Sequence, residues 1–294
     1  MITILTPTYN RVHTLPKLYN SLLNQTNKHL EWLVIDDGST DQTEKLIGEF
    51  KEEVLIDIRY LKKHNGGKHS ALNVGFREAK YEWILIVDSD DWLKPDMVNL
   101  LVKESSKLDE SYNSLSTLRV YEDDSVIGTK HIESRESYLD FSKGKVTGDK
   151  ADLIRKSALQ GFSFPEFKNE NFMAEAPMYL WLGTTGKTKF INYGGYVCKY
   201  LPDGLSDNSI INRHRCFNST LFVYKSMYKT YPLFSSNKHR AAVNWWRFRL
   251  FKKYQNEKFN APLTYAPLGL IMYTKDQILS ILNKQKLVDK LNKS

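Results

Sequence analysis

Trp83-Ile84-Leu85-Ile86-Val87-Asp88-Ser89-Asp90-Asp91-Trp92 is an apolar run of five that ends in three carboxylates within four residues. A run this short and this rich in β-branched residues predicts a strand buried on both faces of a sheet, with the acids at its carboxyl end. In an open α/β sheet ligands bind at that end. Clustered carboxylates there repel one another unless a cation sits between them. Hard oxygen ligands suit Mg²⁺ or Mn²⁺, which keep room for phosphate oxygens. The stretch therefore predicts a metal-diphosphate site. The competing reading is a solvated acidic turn before a helix that starts near Pro95-Asp96.

The upstream sequence decides between them. Ile2 to Thr6 is a short β run, broken by Pro7-Thr8-Tyr9-Asn10-Arg11, after which Leu15, Leu18 and Leu22 recur at helical spacing. Trp32 to Ile35 predicts a second strand, ending in Asp36-Asp37-Gly38-Ser39-Thr40-Asp41. Ser39 with Gln42 reads as a capping box for the helix of Leu46, Ile47 and Phe50. A third strand near Ile56 to Leu61 leads into His64-Asn65-Gly66-Gly67-Lys68-His69 and a helix with Ala71, Leu72 and Phe76. Four strands alternating with three helices predict a mostly parallel sheet with right-handed crossovers, so all four polar turns converge along one edge.

Each turn offers chemistry suited to a nucleoside diphosphate. Tyr9 can present an aromatic face to a base, and Asp37 can accept the imide hydrogen of uracil. Gly66 and Gly67 permit close backbone approach, and Lys68 supplies a cation for base or phosphate. Asp88 is placed for the ribose and Asp90 for a metal bridging two phosphates, with Asp88 a second candidate ligand. Pro7 and Arg11 share the first turn with Tyr9 and count as donor-binding candidates. Packing or capping is the competing role for Tyr9, His64 and His69.

These motifs, Thr-Pro-Thr-Tyr-Asn-Arg, Asp-Asp-Gly-Ser-Thr-Asp, Asn-Gly-Gly-Lys with downstream Ala71 and Asn73, and Asp-Ser-Asp-Asp, make the first ~100 residues resemble a family-2 glycosyltransferase. The resemblance implies a GT-A (Rossmann-like) α/β fold and a metal-dependent, inverting transfer from a nucleotide sugar, most often a UDP-sugar. Within that family the resemblance is to bacterial capsule, teichoic-acid and surface-polysaccharide transferases, which implies a growing glycan or lipid-linked glycan as acceptor. It also implies that Tyr9 and Asp37 contact the base, Lys68 the base or phosphates, Asp88 the ribose and Asp90 the metal. Asp91 is then expected near the donor sugar or the acceptor.

Beyond Leu108 the pattern changes. Leu115 to Tyr121 and Val126 to Thr129 flank Glu122-Asp123-Asp124 and predict a hairpin; Gly148 to Ile154 predicts a short strand. Phe162 to Pro177 is a long irregular stretch with three Glu, a length that favours a functional loop. Direct displacement needs a base for the acceptor hydroxyl. Many family-2 enzymes use the second acid of a Glu-Asp pair before a helix, whereas this chain has Met173-Ala174-Glu175. Glu175 precedes Pro177 at a predicted helix start, which favours its ionised form. Glu170 and Asp149 compete for the role. Phe190 to Leu201 predicts a strand with Gly194-Gly195 as a bulge or close approach, after which Asp203-Gly204-Leu205-Ser206 turns the chain. The resemblance to bacterial polysaccharide transferases implies that this segment closes over the donor. His214 is either a further metal or diphosphate contact or a surface histidine.

The 294 residues, 41% apolar and 26% charged, fit a soluble globular protein. Three parts are expected: residues 1–108 for the nucleotide sugar, 109–205 for the acceptor within the same catalytic domain, and a basic helical region at 206–294. The net charge of +8 belongs to the last third, where Asp203 to Ser294 holds 16 Lys/Arg against 5 Asp/Glu. Trp245 to Lys253 interleaves aromatics with cations, a mixture that suits either an anionic membrane surface or packing onto the catalytic domain. Cys198 and Cys216 match no metal spacing and predict reduced thiols in a cytoplasmic protein, with peripheral membrane contact as a further expectation. The N-terminal apolar run is too short for a signal peptide, and no stretch reaches ~20 apolar residues. Two other functions stay open: a nucleotidyltransferase, although Pro7 to Arg11 is not a Gly-rich basic loop, and a nucleotide-sugar-binding scaffold without catalysis. Nucleic-acid binding would rest on charge alone and is not expected.

Overall fold

The computed structural model describes residues 1–140, 146–199, 209–250 and 259–291. These form two units, residues 1–166 with 178–202 and residues 167–177 with 203–294.

The first unit begins with the expected alternation: β1 (Ile2–Thr8), α1 (Leu15–Leu23), β2 (Leu30–Asp36), α2 (Thr43–Glu52), β3 (Asp57–Lys62), α3 (Lys68–Glu78) and β4 (Trp83–Ile86). Both β1 and β2 are buried along their whole length, as strands covered on both faces must be. Tyr19 of α1, Trp32 of β2 and Phe50 of α2 stack in the core beneath them. β1 extends through Pro7 and Thr8, two residues further than expected, because Pro7 pairs opposite Ile35 and Thr8 opposite Asp36. The β2–β3 register then sets Asp36 opposite Lys62, and Val87 N–H donates to Leu5 O at 2.9 Å beside β4. Register alone thus lines up the carboxyl ends of all four strands.

The sheet continues through β5 (Trp92–Leu93), β6 (Tyr112–Val120), β7 (Lys150–Arg155), β8 (Lys187–Phe190) and β9 (Tyr196–Val197), with α4 (Met97–Ser105) after β5 and α5 (Ala176–Thr185) before β8. Strand order is β3-β2-β1-β4-β7-β6-β9-β5, with β8 also on β6. The β3-β2-β1-β4 half is parallel and β6 pairs in parallel with β8 and β9, whereas β4–β7, β7–β6 and β5–β9 are antiparallel, so among the described strands the sheet is mixed but mostly parallel, as expected. Because β7 hydrogen-bonds to β4, the two expected halves of the catalytic domain are one sheet. The expected hairpin shrinks to one bridge, Val120 to Val126, with a tight turn between Tyr121 and Ser125. The antiparallel partner of β6 is instead β7. The predicted strand from Phe190 likewise divides into the ends of β8 and β9. Gly194 and Gly195 lie between them at close approaches: a Cβ on Gly195 would stand 2.5 Å from Met97 Sδ.

The second unit contains α6 (Ser209–Arg215), α7 (Phe217–Thr230), α8 (Ser236–Arg249) and α9 (Ala266–Leu291). Its core is Leu221, Ala242, Trp245, Phe248 and Ala261. Trp245 and Phe248, each 1% exposed, therefore pack within this unit and offer no membrane-facing surface. Phe251, Lys252 and Lys253, and the expected closing segment at Asp203 to Ser206, lie outside the described residues. Asp276 accepts from Arg247 Nε at 2.7 Å and pairs with His214 Nε2 at 2.9 Å. His214 is thus a partner of Asp276 rather than a surface histidine.

Candidate active site

The loop after β1 is tied to the loop after β2 by Asn10. Its backbone takes the left-handed region at φ 53°, its N–H donates to Ser39 Oγ at 2.8 Å, and its Oδ1 accepts from Thr40 N–H at 2.8 Å. Ser39 also donates its own N–H to Asp36 Oδ1 at 2.8 Å. These contacts occupy the residue expected to cap α2, so the capping box does not form and Gln42 stands at the cap. Tyr9, beside Asn10, is 46% exposed, which leaves its ring accessible to a ligand. Pro7 lies buried within β1, not in the turn.

The loop after β2 is tied to the loop after β3 by Asp37, which is 3% exposed. Its Oδ1 accepts from Lys63 Nζ at 2.8 Å and Gly66 N–H at 2.9 Å, and its Oδ2 from Gly67 N–H at 2.6 Å. Gly67 has φ 90°, a conformation costly for any residue with a Cβ, and a Cβ on Gly66 would meet Ser70 Oγ at 2.6 Å. The Gly-Gly pair is thus required for the backbone to reach Asp37 and turn into α3. Within α3, Asn73 donates Nδ2 to Phe164 O at 2.8 Å and accepts from Phe164 N–H at 2.8 Å, which anchors the irregular stretch after β7.

The loop after β3 meets the end of β4 through Lys68, whose Nζ lies 2.5 Å from Asp88 Oδ1. Arg119 of β6 approaches the other oxygen, with Nη1 3.2 Å from Asp88 Oδ2. Burial alone would raise the Asp88 carboxyl, but Lys68 and Arg119 outweigh it and hold the group well below the usual carboxylate range. Arg119 is itself fixed: its guanidinium lies 4.2 Å over the Tyr196 ring, and its Nε donates to Lys150 O at 3.0 Å. The Tyr196 hydroxyl in turn accepts from Asp88 N–H at 2.9 Å. Neither Arg119 nor Tyr196 was singled out by the sequence motifs. The one available signal was a lone cation between Leu118 and Val120 in an apolar strand.

The three acids have separate environments. Asp90 is half-buried; burial and the Asp88 charge raise its pKa, while Arg11 and Lys68 oppose the rise. Asp91, expected near the donor sugar or acceptor, is instead 6% exposed and accepts from Cys198 Sγ and Lys199 N–H, each at 3.4 Å. Burial and the Asp88 charge push it up to about 7 despite Arg119 at 3.6 Å. Asp88, expected to ligate metal as well as ribose, has a cation against each oxygen, and these oppose a third positive charge. Asp90, destabilised by a neighbouring anion, is the carboxylate that a divalent cation would relieve. Among the described residues no three His, Cys, Asp or Glu cluster as a metal site. The donor set fits a cation that shares its coordination with substrate phosphates, a habit of Mg²⁺.

Three candidate bases fall in different places. Asp149 is exposed just before β7. Glu170 is 7% exposed and caps α7: it accepts from Asn218 N–H at 2.9 Å, Asn218 Nδ2 at 2.7 Å and Ser219 N–H at 2.7 Å. Both Glu170 oxygens are committed to that helix terminus. Glu175 is half-buried immediately before α5, the position expected of it.

The model for glycosyl transferase family 2 matches residues 3–165. Chondroitin synthase of Pasteurella multocida is 32% identical over 197 residues, 65% of this chain and 20% of that protein. Glycosyltransferase GlyA of Streptococcus pneumoniae is 37% identical over 103 residues, 35% of this chain and 15% of that protein. The chain thus spans a fifth or less of the length of these curated relatives. Among solved structures, S. aureus TarS 1-349 in complex with UDP-GlcNAc matches with a TM-score of 0.62 at 17% identity, covering 84% of this chain and 71% of that one. Mannosyltransferase PcManGT from Pyrobaculum calidifontis, in complex with GDP-Man and Mn²⁺, matches with a TM-score of 0.57 at 17% identity, covering 98% and 79%. At such identity these two matches speak for the fold alone, which is GT-A. The chain belongs to glycosyl transferase family 2.

Proposed function

We propose that the chain transfers a sugar from a nucleotide donor, UDP-linked, to a glycan or lipid-linked glycan by direct displacement with inversion. The observation that carries this reading is the unbroken series of contacts joining the four strand-end loops: Asn10 to Ser39 and Thr40, Asp37 to Gly66 and Gly67, and Lys68 to Asp88. Such a linked rim pre-organises groups that must act together on one ligand. Family membership, the UDP-GlcNAc complex of TarS and the GDP-Man and Mn²⁺ complex of PcManGT support a nucleotide-sugar donor. The names chondroitin synthase and hyaluronan synthase among the relatives support a glycan acceptor.

In this reading Tyr9 stacks on the base and Asp37 presents the Lys63-Gly66-Gly67 loop to it. Asp88, kept ionised by Lys68 and Arg119, receives the ribose hydroxyls. Asp90 would hold a divalent cation that neutralises charge on the departing diphosphate. Arg11 and Lys68 add fixed positive charge on the same side. Glu175 accepts the proton of the acceptor hydroxyl as its oxygen bonds to the anomeric carbon and the bond to the diphosphate oxygen breaks.

A panel of UDP- and GDP-sugars, followed by thermal shift and by nucleotide release with and without Mn²⁺, tests the proposal. One UDP-sugar should raise the melting temperature and release UDP in the presence of the metal. Stabilisation by GDP-sugars alone would overturn the UDP assignment, and no nucleotide release with any donor would overturn the transferase reading.

A further inference from the structure

The rotation of α9 about its axis is fixed by two residues seven apart. Asp276 is bound by Arg247 of α8, and Gly269 packs so closely that a Cβ there would stand 2.5 Å from Trp246 Cβ. At 3.6 residues per turn these two share one face, and residues two places further on lie on the opposite one. Those residues are Ile271 and Ile278, 64% and 52% exposed. Leu268, Leu270, Leu279 and Ile281 flank them and are exposed as well. This helix therefore turns its apolar stripe outward, the reverse of an ordinary surface helix.

The unit that carries that stripe is cationic. Its described helices α6 to α8 hold eight Lys/Arg and no Asp or Glu, and Asp276 of α9 is buried against Arg247. Lys275, one turn from Ile271 on the same face, is exposed. No described helix is long and apolar enough to cross a membrane. We propose that α9 docks flat on an anionic lipid surface, its isoleucines and leucines entering the headgroup boundary while the unit's cations meet lipid phosphates. A soluble polyanion would satisfy the cations and leave the isoleucines in water. A second copy would bring two net-positive units together with Lys275 facing Lys275, which repulsion opposes. A bilayer satisfies both features. The surface differs from the one expected at Trp245 to Lys253, whose described aromatics Trp245 and Phe248 form the unit's core.

The test is flotation of the chain with neutral phosphatidylcholine vesicles and with vesicles that also contain phosphatidylglycerol, at low and high salt. Co-flotation with the anionic vesicles, weakened by salt, is expected. The double variant Ile271→Asn/Ile278→Asn should lower binding ~10-fold or more, given the apolar area removed. Lys275→Glu should weaken binding to the anionic vesicles. Circular dichroism melting of each variant should match the parent, since the altered side chains are exposed. No flotation on anionic vesicles, or flotation unchanged in the double variant, would overturn the proposal. So would light scattering that shows concentration-dependent self-association lost in the double variant without vesicle binding.

Discussion

Arg119 Nη1 stands 3.2 Å from Asp88 Oδ2, so an acid at the end of β4 is matched by a cation from β6, 31 residues later. Asp88 is thereby held ionised and oriented between two positive groups, Lys68 on one oxygen and Arg119 on the other. Replacing Arg119 with Met should cost about 1.5–3 kcal/mol, the range for a hydrogen bond to a charged group. It should also raise the KM for donor more than it lowers kcat. Arg119→Lys should recover part of the stability but not the donor affinity, because an ammonium does not reproduce the planar stack on Tyr196. Urea unfolding and donor-dependent initial rates would check both. Equal losses in the Met and Lys variants would mean that charge is irrelevant at this position.

Asp37 makes a similar bridge from backbone to side chain. Asp37→Asn puts an NH₂ where one of the oxygens accepts from Gly66, Gly67 or Lys63, so one donor must lose its acceptor. The expected cost is about 1–3 kcal/mol in stability, measured by thermal or urea unfolding. The turn into α3 should loosen as well, visible as faster amide exchange at Gly66 and Gly67. Unchanged exchange would show that the Gly-Gly turn holds without the carboxylate.

What was legible in the sequence follows from where each contact lies. The parallel half could be read because strands buried on both faces are written as short apolar runs, continuous in β4 and from Trp32 to Ile35 of β2 and interrupted only by small threonines in Ile2 to Thr6 of β1. Its strand-end loops carry their chemistry locally, so Tyr9, Asp37, Lys68, Asp88 and Asp90 were visible. Arg119 was not, because its meaning depends on β6 reaching Asp88 through β7, a pairing that no local pattern specifies. The Ser39 cap failed for the same reason: Asn10, 29 residues away, claims the hydroxyl. Trp245 to Lys253 left two readings open because an interfacial helix and a packed one share a composition. The position of Trp245 in the second core decides between them.

His131 supplies a pH dependence outside the site. Burial pushes its imidazole from 6.5 down to about 4, with the Lys150 and Arg135 charges adding to the fall and the Thr117 backbone opposing it. Between about 4 and 6.5 the unfolded chain therefore binds a proton that the folded chain refuses. The stability that His131 contributes is complete above pH 6.5 and is lost as pH falls through that window. Melting temperatures across the range should show the parent losing stability on acidification. The His131→Gln variant should show a shallower slope, and a slope identical to the parent's would assign the acid sensitivity to other groups.

Glu175 and Glu170 are five residues apart, yet their substitutions should have opposite signatures. Glu170→Gln weakens the cap on α7 by replacing an ionised acceptor that binds two backbone amides and the Asn218 side chain. It should cost about 1 kcal/mol in stability and leave turnover per folded molecule within a few-fold of the parent. Glu175→Gln removes the proposed proton acceptor while keeping nearly the same shape. It should keep donor binding by thermal shift, keep stability, and lose transfer by at least ~100-fold, the lower bound for removing a general base. If Glu175→Gln turned over at near the parent rate while Asp149→Asn did not, the proton would go to the exposed acid before β7. Loss of transfer in Glu170→Gln with stability intact would instead return the role to the α7 cap.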